Sequence, residues 1–180
     1  MRLDLVMSGL GGQGILFAAR LLSQMALQRG WAVIGAETHG MAQRGGSVVA
    51  HLRFGGAEGS VIPAGRADAL IALQETEAYR NLAFVRPGGV VFVNAERFPW
   101  PEVSDYVRRT RITGLAVPAD SIALSEGLPR AGNLILIGLA CQSERLPFGL
   151  KELTKAVREV SPPRFLEANL KAISLGASRA

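Results

Sequence analysis

This 180-residue chain has one cysteine, two histidines and 6% aromatic residues, and each shortage removes a class of chemistry. A lone cysteine, Cys141, excludes an internal disulfide framework and cannot supply the thiolate set of a structural zinc or iron–sulfur centre. It lies in an apolar stretch on an expected helix, so it reads as a small buried core residue without a role. Long hydrophobic runs are also missing. The strongest, LILIGLAC at residues 134–141, falls well short of the roughly 20 residues that a membrane-spanning helix needs. Lysine is scarce as well: only Lys151, Lys155 and Lys171 are lysines, so 17 of the 20 basic residues are arginines, against 15 acids and a net charge of +5. The arginines are scattered from Arg2 to Arg179 and cluster only in VRRTR, residues 107–111, with few aromatics between them. Nucleic-acid sites show a basic stripe with stacking rings, so no nucleic-acid partner is expected. The excess reads as a solvated basic surface or, more sharply, as a match for an anionic ligand or an acidic protein partner, since arginine suits planar bidentate contacts.

What is present is enough apolar residue, 48%, to bury one good core, so residues 1–180 are expected to form a single domain. The opening MRLDLVMSG carries Asp4 within its apolar stretch and runs straight into glycines, which predicts a first strand and not a signal peptide. A soluble cytoplasmic protein is the expectation.

Residues 3–8 read as a short buried strand, a glycine turn follows, and apolar residues from Ile15 to Ala26 recur at helical spacing across residues 14–29, with Gly30 placed as a C-terminal cap. WAVIGAE, residues 31–37, is then a second strand, completing a β-turn-α-β unit. THGMAQRGG, residues 38–46, has no periodicity and reads as a loop. In SVVAHLRF, residues 47–54, Val48, Ala50, Leu52 and Phe54 alternate with Ser47, Val49, His51 and Arg53, the pattern of a half-buried strand with one polar face. A strand at 67–74, a helix at 75–85 ended by RPGG, and a strand at 90–95 make a second β-α-β unit. Residues 98–101 read as an irregular connection, 112–118 as a strand, and the remainder as helices at 119–127, 131–144, 150–160 and 164–176. The expected fold class is therefore α/β, Rossmann-like, a mainly parallel sheet with helices on both faces and a helical C-terminal portion.

GLGGQG, residues 9–14, satisfies G-x-G-x-x-G between a strand and a helix, where free N–H groups and the positive end of the helix dipole meet an anion. Glu37 ends the second strand, 23 residues after Gly14, near where a ribose-binding acid would stand. On the motif alone a dinucleotide site and a purely structural tight turn are equally good readings.

The second element, ETHGMAQRGGSVVAHLRFG, is specific where the first is not. Together the runs GLGGQG and ETHGMAQRGGSV resemble the gamma-type domain of 2-oxoacid:ferredoxin oxidoreductases, and within that family they most resemble the small (beta) subunit of the indolepyruvate branch. The similarity continues through VIPAGRADALIALQETEAYRNLAFVRPGGVVFVNA, with its strand ending at Asn94, and AGNLILIGLA. It fades in the last 30 or so residues and is absent from about 99–110. The resemblance implies a subunit of an enzyme that converts a 2-oxoacid and coenzyme A to an acyl-CoA and carbon dioxide, with electrons passing to ferredoxin. It places thiamine diphosphate and iron–sulfur clusters in a large partner subunit. The chain alone would bind no cofactor and be inactive, with coenzyme A as the candidate ligand.

On that basis Gly9, Gly11, Gly12, Gln13 and Gly14, with His39, Gln43, Arg44, Gly45 and Gly46, are the expected ligand-binding residues. The two loops should converge on one anionic site, Arg44 supplying the fixed positive charge. No residue is assigned as catalytic and none as a metal ligand: His39 is an interface or ligand contact or a solvated loop residue, and His51 an interface or structural hydrogen-bonding residue, with no carboxylate placed by sequence to orient it. Two other readings stand beside this one: an independent NAD(P)-dependent oxidoreductase using the glycine turn and Glu37, and a non-catalytic binding module of the same fold.

Overall fold

A computed structural model describes residues 2–39, 45–56 and 58–180. Six strands form one sheet: β1 (Leu3–Leu10), β2 (Val33–His39), β3 (Ser47–Phe54), β4 (Ala67–Ala72), β5 (Val85–Asn94) and β6 (Thr113–Val117), in the spatial order β2-β3-β1-β4-β5-β6. Strands β1, β4, β5 and β6 pair in parallel. β3 runs antiparallel to both β1 and β2, so it alone points the other way and the sheet is mainly parallel, as expected.

Helices cover both faces. Leu5 and Met7 of β1 point into a core shared with α1 (Ile15–Gln28), α4 (Ala119–Ser125), α5 (Gly132–Gln142), α6 (Leu150–Val160) and α7 (Leu166–Ala177). Val6, between them, points into a second core under α2 (Glu75–Asn81) and α3 (Pro101–Thr110). This one-residue alternation explains why the parallel strands read as unbroken apolar runs: both of their faces are buried. Helix α1 ends as its sequence predicts. Gly30 has φ 73, its N–H donates to the Leu27 carbonyl, and the Trp31 N–H donates to that of Ala26, a Schellman stop. Helix α5 is buried from Gly132 to Cys141. A Cβ at Gly138 would strike the backbone of Ile173, and one at Gly176 that of Ile135, so these two glycines let α5 and α7 touch backbone to backbone.

Three local expectations are corrected and one unassigned stretch is filled. The strand after α1 does not lie beside β1, because β3 occupies that place and leaves β2 at the sheet edge. RPGG does not end α2, which stops at Asn81 and passes through a short 3-10 turn (Leu82–Phe84); Arg86 to Gly89 belong to an irregular start of β5. Residues 101–110, unreadable in sequence, form α3, with Pro101 at its first turn. The polar face of β3 is not open to solvent: His51 and Arg53 are 4% and 5% exposed. The Ile62 N–H donates to His51 Nδ1, and Arg53 Nη1 donates to the carbonyls of Glu58 and Gly59, so the connection before β4 folds over this face and satisfies it.

Candidate functional site

The glycine turn leaves β1 at the carboxyl edge of the sheet and enters α1. Gly12 and Gly14 have φ values of 97 and 79, which an L side chain adopts only with strain. Gly9 is required for a different reason: a Cβ there would press on the Gln13 side chain and on Leu73. Gln13, expected to hold ligand, is occupied in shaping the turn. Its Oε1 accepts the Leu10 N–H at 2.7 Å, and its Nε2 donates to the Leu73 carbonyl at 3.1 Å and to Gln74 Oε1 at 3.2 Å, tying the end of β1 to the end of β4.

The two glycine segments do meet. The Gly11 N–H donates to the Gly46 carbonyl at 2.9 Å, and Gly45 lies beside Gly11 with φ 74. Behind this contact sits a buried carboxylate. Glu77 Oε2 accepts the Ser47 hydroxyl at 2.6 Å, Oε1 accepts Arg80 Nη1 at 2.6 Å, and its carbonyl accepts the Ser8 hydroxyl at 3.3 Å. Ser47 follows Gly46 directly, so Glu77 fixes the exit of the second loop against β1. Of the remaining expected residues, the His39 backbone ends β2 opposite Val48. The His39 side chain, Gln43 and Arg44 lie outside the described residues.

Gly14 at the N-cap of α1 has no side chain to cap the helix, and no acid stands in its first turn. Among the described residues its leading N–H groups are therefore not neutralised from within the helix start, the condition for an anion site there. By contrast α2, which starts at the same edge, carries Glu75 and Glu77 in its first turn. Beside the start of α1 a cleft of about 360 Å³ opens beyond the ends of β1, β4 and β5, lined by Gly12, Gln13, Asn94, Asp120, Arg130 and Asn133 among others. Asn94 Nδ2 donates to the Leu73 carbonyl at 3.1 Å and to Asp120 Oδ2 at 2.8 Å, and Asn133 Nδ2 donates to the Gly14 carbonyl at 3.2 Å.

Sequence reasoning assigned none of Asn94, Asp120, Arg130 or Asn133. A signal existed for two of them: each asparagine interrupts an apolar run, VVFVNA or AGNLILIGLA, where a buried amide needs a partner. Arg130 holds φ 74 at the cleft mouth, a strained backbone for a non-glycine residue.

Glu37 does not stand where a ribose-binding acid would. It is on β2, and with β3 intervening it is about 10 Å, two strand spacings, from β1. Cys141 is buried as expected, and burial pushes its thiol up to about 12. His51 is a structural residue whose ring packs edge-on to Phe84; burial and then the nearby Arg53 charge lower its pKa from 6.5. Among the described residues no cluster of three or more His, Cys, Asp or Glu is placed to hold a metal ion, and no helix is long and apolar enough to cross a membrane.

Comparison with known proteins agrees with the resemblance. Residues 4–179 match the pyruvate ferredoxin/flavodoxin oxidoreductase family. Indolepyruvate oxidoreductase subunit IorB of Archaeoglobus fulgidus is 35% identical, with 100% of this chain and 96% of the relative covered. The gamma subunit of a keto/oxoacid ferredoxin oxidoreductase from Geobacter sulfurreducens has the same fold, with a TM-score of 0.76 at 22% identity and 99% and 98% of the two chains covered. The 2-oxoglutarate:ferredoxin oxidoreductase of Magnetococcus marinus, solved with 2-oxoglutarate, coenzyme A and succinyl-CoA bound, contains this fold in 31% of its chain, with 99% of the present chain covered, a TM-score of 0.78 and 17% identity. The chain therefore belongs to the pyruvate ferredoxin/flavodoxin oxidoreductase family, as a small subunit of a 2-oxoacid:ferredoxin oxidoreductase.

Proposed function

We propose that this chain serves an indolepyruvate or other aryl-pyruvate oxidoreductase, cytoplasmic like the expected soluble complex, that converts the 2-oxoacid and coenzyme A to acyl-CoA and carbon dioxide and passes two electrons to ferredoxin. The observation that carries this reading is the 35% identity to an indolepyruvate oxidoreductase subunit over the whole chain. Thiamine diphosphate and iron–sulfur clusters belong to the larger subunit on this view. The single thiol here, buried and shifted up to about 12, does not fit a cluster that takes several thiolates. No step is assigned to either group in this chain.

What the chain contributes is a place for the acyl acceptor. Coenzyme A brings phosphates, and the paired glycine segments with the open start of α1 offer N–H groups that need no counter-charge to be removed first. Gln13, Asn133 and Glu77 hold that surface in shape, and Arg44 supplies the positive charge. The adjoining cleft of about 360 Å³ gives room for the rest of the molecule.

The test is reconstitution. With an aryl pyruvate, coenzyme A and an artificial electron acceptor, the chain alone shows no turnover and the assembled pair does. In the assembled enzyme Arg44→Ala raises the KM for coenzyme A about tenfold, one charge-assisted hydrogen bond of about 1.5 kcal/mol, and leaves assembly intact. Turnover by the isolated chain, or tight NAD binding by calorimetry, overturns the proposal. If Arg44→Ala instead dissociates the pair with the KM unchanged per assembled enzyme, the loops are a docking surface.

A further inference from the structure

At the opposite, amino edge of the sheet the same strands gather a group of arginines that the proposed function leaves unused. Arg2 and Asp4 open β1, Arg53 ends β3, Arg66 and Asp68 flank the start of β4, and Arg86 stands at the irregular start of β5. There Ala67 pairs with Val85 but Ala69 with Val90, so the residues from Arg86 to Gly89 swing out of the ladder. Gly89 allows this, since a Cβ would press on Val85 and on the carbonyls of Arg86 and Asp68. These residues line a cavity of about 640 Å³, which shares Arg2, Asp68 and Arg86 with a hollow of about 290 Å³ that adds Arg145. The cavity is within the size range of small-ligand sites.

Both carboxylates are already engaged. Asp4 accepts Arg53 Nε and Nη2 at 2.9 and 3.1 Å and Arg2 Nη2 at 2.8 Å. Asp68 accepts Arg86 Nε at 2.7 Å and the Asp4 N–H at 2.8 Å. Arg53 is consumed by Asp4 and by the carbonyls above it. Arg2 and Arg86 are each steered by one carboxylate yet remain half exposed, at 51% and 46%, with further N–H donors open. Arg66 and Arg145 are exposed, and their guanidinium groups have no acceptor among the described residues. Five arginines face two aspartates, an excess of three positive charges around one basin.

We propose that this basin is a second anion site, taking a small, ring-free polyanion rich in phosphate or carboxylate oxygens. Guanidinium groups provide planar forks for such oxygens. Among the described residues no aromatic side chain lines either hollow, so the basin favours a ring-free occupant. The six residues of β4 put the basin about 20 Å from the glycine turn, so its occupant and one at the carboxyl edge do not touch.

Calorimetric titration of the full-length chain with tripolyphosphate and, separately, citrate tests this. The expected result is one-site binding of at least one anion, several-fold weaker at about 150 mM than at about 20 mM salt. In the double variant Arg66→Ala/Arg145→Ala affinity falls tenfold or more. Both side chains are exposed, so folding is not at stake. Tighter binding of tripolyphosphate marks a phosphoryl ligand, and tighter binding of citrate a polycarboxylate. Failure of both anions to bind overturns the proposal, as does binding that the double variant leaves unchanged. It is equally overturned if the double variant's only effect is weaker assembly with the larger subunit, which would make the basin a protein-docking surface.

Discussion

The two edges of the sheet are held together by different chemistry. At the carboxyl edge the turn is braced mainly by neutral amides: Gln13 spans β1 and β4, Asn94 holds Leu73, and Asn133 holds Gly14. At the amino edge the braces are ion pairs, with Asp4 and Arg53 buried together and Asp68 fixing Arg86. An amide can satisfy one backbone group without adding a charge that competes for the next. The first turn of α1 is therefore left with its N–H groups open, while the nearby α2 start carries its own acids. A buried ion pair does the reverse: it locks geometry firmly, because either partner left alone in the interior is severely destabilising.

The contrast can be broken most strongly at Asp4. Asp4→Asn strands Arg53, whose side chain is 6% exposed, and should destabilise the fold by about 3–5 kcal/mol. For a chain of this size that lowers the thermal midpoint by roughly 6–20 °C, measurable by calorimetry. A shift below about 2 °C would show that Arg53 finds water or other acceptors and that the pair is not a structural lock.

A smaller loss is expected at the other edge. Gly14→Ala places a Cβ at φ 79 and against the Asn133 amide. The left-handed backbone costs about 1–2 kcal/mol and the displaced hydrogen bond about 1 kcal/mol more, so a total near 2–3 kcal/mol should appear in denaturant unfolding. A neutral result would mean that the turn relaxes freely and is not pre-shaped.

The mildest effect is on pH dependence, and it separates two groups at the buried face of β1 and β3. Burial and Arg53 hold the folded pKa of His51 below 6.5, so the unfolded chain takes up the proton first and stability declines as pH falls below 6.5. For Asp4, burial works upward but the hydrogen bonds and charges of Arg53 and Arg2 outweigh it, leaving its pKa below 3.8. Its contribution is complete above 3.8 and is lost as pH falls through the folded value. His51→Gln should remove the first decline and Asp4→Asn the second in unfolding curves taken from pH 7 to pH 3. An unchanged first decline in His51→Gln would assign it to other groups.

Much of this was legible before any coordinates. The turn at residues 9–14, the stop at Gly30 and the two glycine segments announced themselves, because positive φ is a local demand that glycine answers in the sequence. The sequence marks Gln13 as a candidate ligand contact and gives no sign of the brace, since its partners Leu73 and Gln74 are 60 and 61 positions away. The alternation in β3 correctly separated its faces yet misjudged the polar one, because burial of His51 and Arg53 depends on residues 58–62 folding back over them.

Local pattern alone determined that this chain makes an α/β sheet with a bared turn at the end of its first strand, and its paired glycine segments alone pointed to the family. Hydrophobic period and backbone freedom are properties of neighbouring residues, so they can be read in order. Which strands lie side by side is not such a property. Only the tertiary structure decided that β3 enters between β1 and β2, moving Glu37 away from the turn, and that Glu77 and Ser47 meet behind it. The same holds for α5 and α7: Gly138 and Gly176 look like ordinary helix-weakening glycines until the two helices press together, and there any side chain would occupy the partner's backbone.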